Sequence, residues 1–280
     1  MKPLIITGCN GQLGRAINQQ LASHPDYELI NTDVAELDIT NIDQCLALAR
    51  KVKPYAIINC AAHTGVDACE TDRDNAYRIN AIGPRNLSIA ATQTGAKIIH
   101  VSTDYVFDGF GNRPLLEFDP TNPQGMYGAT KLAGENFVKD FAKEYFIIRT
   151  AWLYGDGKNF VKTMLRLSET NDKVRVVGDQ FGTPTSADEL AKAICYLLPT
   201  ENYGIFHGTC EGSCNWAEFT EEIFRLAGRE TKVEKITTEE FGAPAPRPAY
   251  SVLENYMFKL TTDFAFADWH DAIEAYMKTL

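Results

Sequence analysis

A chain of 280 residues with 45% hydrophobic and 23% charged side chains can bury a sizeable core, and it lacks low-complexity stretches, which excludes wholesale disorder. The formal net charge of -10 disfavours nonspecific binding to nucleic acid or to an anionic membrane, while leaving room for a locally basic pocket that takes an anionic ligand. No apolar run approaches the roughly 20 residues that span a bilayer, and the apolar stretch after Met1 is too short for a signal-peptide core, so the sequence reads as cytoplasmic.

Short apolar runs alternate with helical patterns through the first half. The chain order predicts a strand over Leu4–Thr7, a helix over Gln12–Ala22 and a strand over Leu29–Thr32. A helix over Ile42–Val52 stops before Pro54, and a strand covers Ala56–Asn59. A long helix over Asn75–Thr94 ends at Gly95, followed by a strand at Lys97–Val101, a helix at Lys131–Glu144 and a strand at Phe146–Arg149. This alternation predicts an α/β fold of Rossmann type, a doubly wound parallel sheet covered on both faces. Beyond about residue 150 the rhythm changes. Gly-, Asn- and Pro-rich loops at 154–159, 178–185 and 242–248 separate helical patterns at 160–167, 187–198, 216–227 and 269–277. The expected division is a nucleotide-binding domain over 1–150 and a smaller C-terminal substrate-binding lobe over 151–280, with segments near 174–198 returning to the main sheet.

Seven cysteines, an odd number scattered through apolar segments, suit reduced thiols better than a disulfide framework. His207, Cys210 and Cys214 form the one grouping with metal-ligand character. Three residues without a second Cys pair read as a strand and turn rather than a zinc site.

The first strand leads into Gly8-Cys9-Asn10-Gly11-Gln12-Leu13-Gly14, a GxxGxxG turn between strand and helix. The first glycine lets the chain turn sharply, the second lets backbone approach a pyrophosphate, and the third lets helix pack on strand. The backbone of Gly8, Asn10, Gly11, Gln12, Leu13 and Gly14 is therefore the expected phosphate cradle, aided by free N–H groups at the helix start. Asp33 ends the second strand, about 20 residues on, where a carboxylate binds an adenosine ribose diol and repels a 2′-phosphate. Arg15 follows the last glycine and attracts that phosphate. The two signals oppose each other, so the cofactor reads as NADH or NADPH. Asp38 and Ile39 are expected on the adenine side, Asp38 alternatively in a helix-capping region.

Tyr127 and Lys131 form Tyr-x-x-x-Lys, and residues four apart stack on one helix face. The spacing predicts an ammonium that lowers the phenol pKa and helps it give a proton to a ketone oxygen as hydride arrives, with Tyr127 and Lys131 also beside the cofactor and the lysine on the nicotinamide ribose. Thr103, at the carboxyl end of a strand, is placed to polarise that carbonyl. Arg247, between Pro246 and Pro248, either holds a diphosphate or pins its loop. Lys162 and Gln180 are weaker pocket candidates, and Trp216 reads as core.

A glycine turn, a strand-end hydroxyl and a helix-opening YxxxK in that order resemble the extended short-chain dehydrogenase/reductases. The stretches VSTDYVFDG, YGATKLAGE, IIRTAWLYG, NFVKTMLRL, DQFGTPT and RPAYSVL, spread over nearly the whole chain, resemble the dTDP-4-dehydrorhamnose reductase group. The resemblance implies that Thr103, Tyr127 and Lys131 are catalytic, and that Ala61, Ala62 and His63 line the cofactor, with a structural role open for His63. It implies substrate contacts from Asp104, Tyr105 and Trp152, with core packing open for Trp152. The implied reaction reduces the C4 keto group of a dTDP-linked 4-keto-deoxysugar. An epimerase or dehydratase of the same scaffold, and a regulatory subunit like that of methionine adenosyltransferase, are the alternatives. Some relatives carry a carboxylate after the third glycine as part of a divalent-metal site at a dimer interface. Arg15 stands there in this chain, so no metal is expected, and the protein is expected to be a monomer or weak homodimer.

Overall fold

The computed structural model describes the whole chain, Met1–Leu280. Strands β1 (Lys2–Thr7), β2 (Tyr27–Thr32), β3 (Ala56–Asn59), β4 (Lys97–Thr103) and β5 (Tyr145–Thr150) join Gly204–His207 in one six-stranded sheet. Its order is Gly204–His207, β5, β4, β3, β1, β2, and every neighbouring pair is parallel.

The nearly unbroken apolar runs in these strands follow from burial on both faces. Successive side chains point to opposite sides. Leu4 and Ile6 enter one core with Ile58, Ile99 and Ile148, whereas Ile5 enters the other with Ile57, Ile98 and Ile147. Helix α1 (Gln12–Leu21) closes the first core through Leu13, Ile17 and Leu21, beside Leu190, Ile194 and Leu197 of the helix Ala187–Leu197. Helix α2 (Ile42–Val52) and the helices Gly83–Thr94 and Met126–Phe141 close the second through Cys45, Ala49, Leu87, Ala91 and Val138.

A third core lies in the C-terminal region, where Tyr154, Val161, Phe219, Ile223, Trp269 and Ile273 pack together. Val174–Val177, expected near the main sheet, belongs here. Lys173–Val177 pairs in parallel with Lys232–Ile236 in a separate two-stranded sheet. The strand that joins the main sheet is Gly204–His207, four residues without an alternating signal strong enough to read. His207 thus sits at a sheet edge with Nδ1 3.0 Å from the Glu254 carbonyl, while Cys210 and Cys214 are buried in the third core. No group of three or more His, Cys, Asp or Glu is arranged to hold a metal ion.

The helix expected over 75–94 is divided. Arg73–Tyr77 is α-helical, Arg78–Ile82 is a π-turn, and Gly83–Thr94 is α-helical again. Pro84 has no N–H, so it cannot close an α-helical bond to the carbonyl four residues back, which is that of Asn80. The helix Met126–Phe141 uses the place. Gly134 lies directly against the Asn80 carbonyl oxygen, closer than any side chain allows.

Because all six strands are parallel, every carboxyl end emerges on the same edge. Gly8, Asp33, Cys60–Ala62, Thr103–Tyr105 and Trp152 therefore follow β1 to β5 onto one surface. The chain runs from β1 to β2 on one side and to β3 on the other, and this reversal opens a crevice between the loops.

Arg149 of β5 makes a two-point ion pair with Glu135 of the helix Met126–Phe141, Nε to Oε1 at 2.9 Å and Nη2 to Oε2 at 2.8 Å, with both side chains buried. Removing one member strands the other charge away from water. Glu135→Ala is expected to lower unfolding free energy by about 3–5 kcal/mol in urea titration, and a loss below about 1 kcal/mol would show that this pair does not hold the helix to the sheet.

Candidate active site

The turn after β1 is built by close approach. Gly8 has φ +64°, and a Cβ there would stand 2.8 Å from the Ala61 amide nitrogen. A Cβ on Gly14 would strike the Gly8 carbonyl and stand 2.6 Å from Cys9 Cα. Gly11 precedes α1 without any side-chain cap, which leaves first-turn N–H groups free for an anion. A cavity of about 490 Å³ opens beside the turn. Thr7, Gly8 and Gly11 form one wall, Asp33, Val34, Leu37, Asp38, Ile39 and Thr40 another, and Cys60, Ala61, Ala62, Asn75 and Ile79 the rest. The size, the uncapped helix start and the absent Cβ atoms fit a dinucleotide.

Of the residues expected to bind cofactor, Gly8, Gly11, Asp33, Asp38, Ile39, Ala61 and Ala62 line this cavity, whereas Asn10, Gln12, Leu13, Gly14, His63, Tyr127 and Lys131 do not. Leu13 is in the first core and Gly14 is the packing contact beneath the turn. The His63 amide donates to Asn80 Oδ1 at 2.8 Å, and its ring Nδ1 lies 3.4 Å from Cys69 Sγ. The backbone at His63 thus ties its loop to the π-turn, and the ring rests against Cys69. Asp38 accepts from the Thr40 amide and hydroxyl at 2.9 and 2.7 Å, while Asn41 caps α2.

The opposing signals at the ribose end are arranged unequally. Asp33 Oδ2 accepts from the Asn10 amide at 3.2 Å and Oδ1 from Val34 at 2.8 Å, which fixes the carboxylate in the cavity wall. Arg15 turns the other way, donating to the Asn10 carbonyl at 2.5 Å and pairing with Asp156 at 3.0 Å.

Thr103, Tyr127 and Lys131 come together at the end of β4. Tyr127 and Lys131 lie in the first two turns of the helix Met126–Phe141. Gly128 lets that helix touch the Tyr105 carbonyl oxygen, a contact no Cβ tolerates. The Tyr127 phenol faces the Thr103 hydroxyl, and its ring meets Tyr105 edge-on at 5.3 Å. Lys131 is buried, and its ammonium donates to the Val101 carbonyl at 2.7 Å. This corrects the expected electrostatics. Burial pushes the Tyr127 phenol up, against the smaller lowering effect of Thr103, and Lys131 is not among the groups acting on it. Burial also pulls Lys131 down to about 8, despite opposing charge from Glu135 and Cys60.

Asp104 and Tyr105 extend this cluster. Asp104 is buried, and burial raises its carboxyl to about 6. Arg247 does not point freely into a pocket. It grips Asp67 with two bonds of 3.1 and 3.0 Å and the Ala245 carbonyl with a third. That pairing holds the Asp67 carboxyl below its usual range. Trp152 adopts φ +47°, a strained setting for a bulky residue, and stacks on Trp216 with centroids 3.5 Å apart. Both rings are half-buried at the margin of the third core. Lys162 lies 3.5 Å from Asp156, and Gln180 bonds Thr238 at 3.0 Å.

Several residues were not singled out from sequence. Asn80 bridges the His63 carbonyl and the Thr130 hydroxyl of the Tyr127 helix, each at 3.1 Å. Asn59 Oδ1 accepts from Thr7 and from the Ala61 amide, bracing two walls of the cavity at once. Val34, exposed at 80%, offers an apolar edge to the cavity. Asn75 and Ile79, four apart, carried a readable signal in their shared helix face.

Comparison with known proteins agrees with this geometry. The family model "RmlD substrate binding domain" matches residues 1–280. A dTDP-4-dehydrorhamnose reductase structure from Clostridium acetobutylicum superposes with TM-score 0.97 at 53% identity, covering 99% of both chains. That of a dTDP-4-dehydrorhamnose reductase from Bacillus anthracis, in complex with NADP, gives TM-score 0.98 at 43% identity over 100% of both. The spore coat polysaccharide biosynthesis protein SpsK of Bacillus subtilis is 39% identical over 99% of this chain and 98% of its own. With the glycine turn, the strand-end threonine and the YxxxK helix in their places, the chain belongs to the RmlD family of dTDP-4-dehydrorhamnose reductases, within the extended short-chain dehydrogenase/reductases.

Proposed function

We propose that the protein reduces the C4 keto group of dTDP-4-dehydro-L-rhamnose to give dTDP-L-rhamnose for cell-envelope polysaccharide, acting in the cytoplasm as a monomer or weak homodimer. No helix is long and apolar enough to cross a membrane. The observation that carries the reading is the packing of the Tyr127 and Lys131 helix against the carboxyl end of β4, beside Thr103, on the sheet edge that also bears the glycine-lined cavity. Full-length likeness to dTDP-4-dehydrorhamnose reductases supports the substrate.

The cavity walls hold the dinucleotide, with the glycine turn and the start of α1 on the pyrophosphate and Asp33 at the adenosine ribose. A reduced nicotinamide, NADH or NADPH, supplies the hydride when bound. Tyr127 gives a proton to the keto oxygen. Burial in the free protein keeps the phenol protonated, so the proton is in place when the ketone gains electron density. Lys131, one turn along the helix, holds the nicotinamide ribose. Thr103 orients the keto oxygen, Asp104, Tyr105 and Trp152 line the sugar, and Arg247 exchanges Asp67 for the diphosphate. Residues 1–150, with the helix and strand at 187–207, form the cofactor domain, and the remaining C-terminal residues form the sugar-nucleotide lobe.

Tyr127→Phe keeps the ring and removes the proton. Turnover of the 4-keto sugar nucleotide is expected to fall at least about 100-fold, and a rate near wild type would remove Tyr127 from the reaction. Asp33 places a fixed negative charge at the ribose end of the cavity. Asp33→Ser is expected to shift the kcat/KM ratio about tenfold from NADH toward NADPH, and an unchanged ratio would show that the adenosine ribose lies elsewhere.

A further inference from the structure

Thr103 is asked to steer a ketone oxygen, yet its hydrogen bonds are already committed. A hydroxyl has one proton and two lone pairs. Thr103 Oγ1 lies 2.8 Å from Asp104 Oδ1 and accepts from the Tyr105 amide at 3.2 Å. An ionised Asp104 only accepts, so the threonine proton points at the carboxylate. In that state Thr103 has nothing to donate to the ketone.

The carboxyl group is set in an unusual place for an ion. Asp104 is 2% exposed, and no ammonium or guanidinium pairs with it. The groups facing it are Thr103 and Tyr105 from its own turn, Tyr127 from the helix Met126–Phe141, and Ser251 from the chain after Pro248. The two tyrosines are the titratable members of this set. Ser251 lies alongside, but Oδ2 makes no hydrogen bond of normal geometry. Lys131 is turned to the Val101 carbonyl, and Arg247 is held by Asp67. A buried carboxylate with one free oxygen and no cation favours its neutral form.

We propose that Asp104 is a positioning residue whose protonated form sets the direction of the Thr103 hydroxyl. With the proton on Oδ1, Asp104 donates across the 2.8 Å contact to Thr103 Oγ1. The threonine proton is then released toward the keto oxygen, where it joins the Tyr127 phenol as a second donor. Loss of the Asp104 proton reverses the contact and withdraws that donor. Reduction therefore weakens as pH rises through the Asp104 pKa, about 6 in the free protein. A bound diphosphate moves the midpoint upward, because a nearby anion disfavours the carboxylate.

The test is kcat/KM against pH, from about 5 to 7.5, below the range in which the buried Lys131 ammonium loses its proton, for wild type, Asp104→Asn and Asp104→Ala. Wild type is expected to lose about tenfold per pH unit above the midpoint. Asparagine donates to Thr103 at every pH, so Asp104→Asn is expected to be flat within about twofold and to overtake wild type at the alkaline end. Asp104→Ala neither withdraws nor orients the Thr103 proton, and is expected to be flat with pH and about tenfold slower than Asp104→Asn. An Asn variant that keeps the alkaline fall, or one that folds and is as slow as the Ala variant, overturns the proposal. If Asp104→Asn does not fold, difference infrared spectra of wild type decide. A protonated-carboxyl band that bleaches with the same midpoint as the rate supports the proposal, and its absence overturns it. This inference rests on the reductase reading, and the two fail differently: a wild-type enzyme that leaves the keto sugar untouched sinks that reading, whereas turnover with a flat wild-type profile sinks this one alone.

Discussion

One buried contact locks the chemistry to the fold. The Lys131 ammonium donates to the Val101 carbonyl at 2.7 Å, joining the helix that carries Tyr127 to the strand that ends in Thr103. A charged group buried this fully depends on such a contact to offset its lost hydration. Two glycines make the contact reachable, Gly128 against the Tyr105 carbonyl and Gly134 against that of Asn80. The Arg149–Glu135 pair anchors the same helix further along to β5. Phenol, threonine and sheet edge therefore form one rigid unit, and geometry of that kind is what a positioned proton donor needs.

The parallel sheet does the rest by direction alone. Since each strand runs the same way, loops from distant parts of the sequence arrive at a common edge. The glycine turn after β1, the Asp33 carboxylate after β2 and the hydroxyl cluster after β4 need no further device to be neighbours. The C-terminal region packs a separate aromatic core and brings Arg247 against Asp67 and the stacked Trp152–Trp216 pair beyond β5.

The parts of this arrangement that were legible in the sequence are local. A GxxGxxG turn and a YxxxK helix carry their geometry in spacing, because three or four residues fix a helical turn. The doubly wound sheet was legible in apolar runs of the right length. What escaped depends on approach between remote segments. Asn80 matters because Pro84 frees its carbonyl and Gly134 meets it, a relation across three places in the chain. Arg247 was visible between two prolines, but its partner Asp67 is 180 residues away. The four-residue strand Gly204–His207 joined the sheet without an alternating pattern to announce it. The electrostatic expectation at Tyr127 failed for a related reason. Spacing puts an ammonium one turn from the phenol, whereas burial and the Val101 carbonyl decide where that ammonium points.

The central claim is that the bound nicotinamide is consumed by the sugar rather than regenerated on the enzyme. The direct measurement is the ratio of cofactor oxidised to dTDP-linked 4-keto sugar converted, followed to completion with purified protein and excess reduced cofactor. One cofactor lost for each sugar reduced is the predicted result. Conversion of the sugar with no net loss of reduced cofactor would contradict the account and point to an epimerase or dehydratase cycle on the same frame.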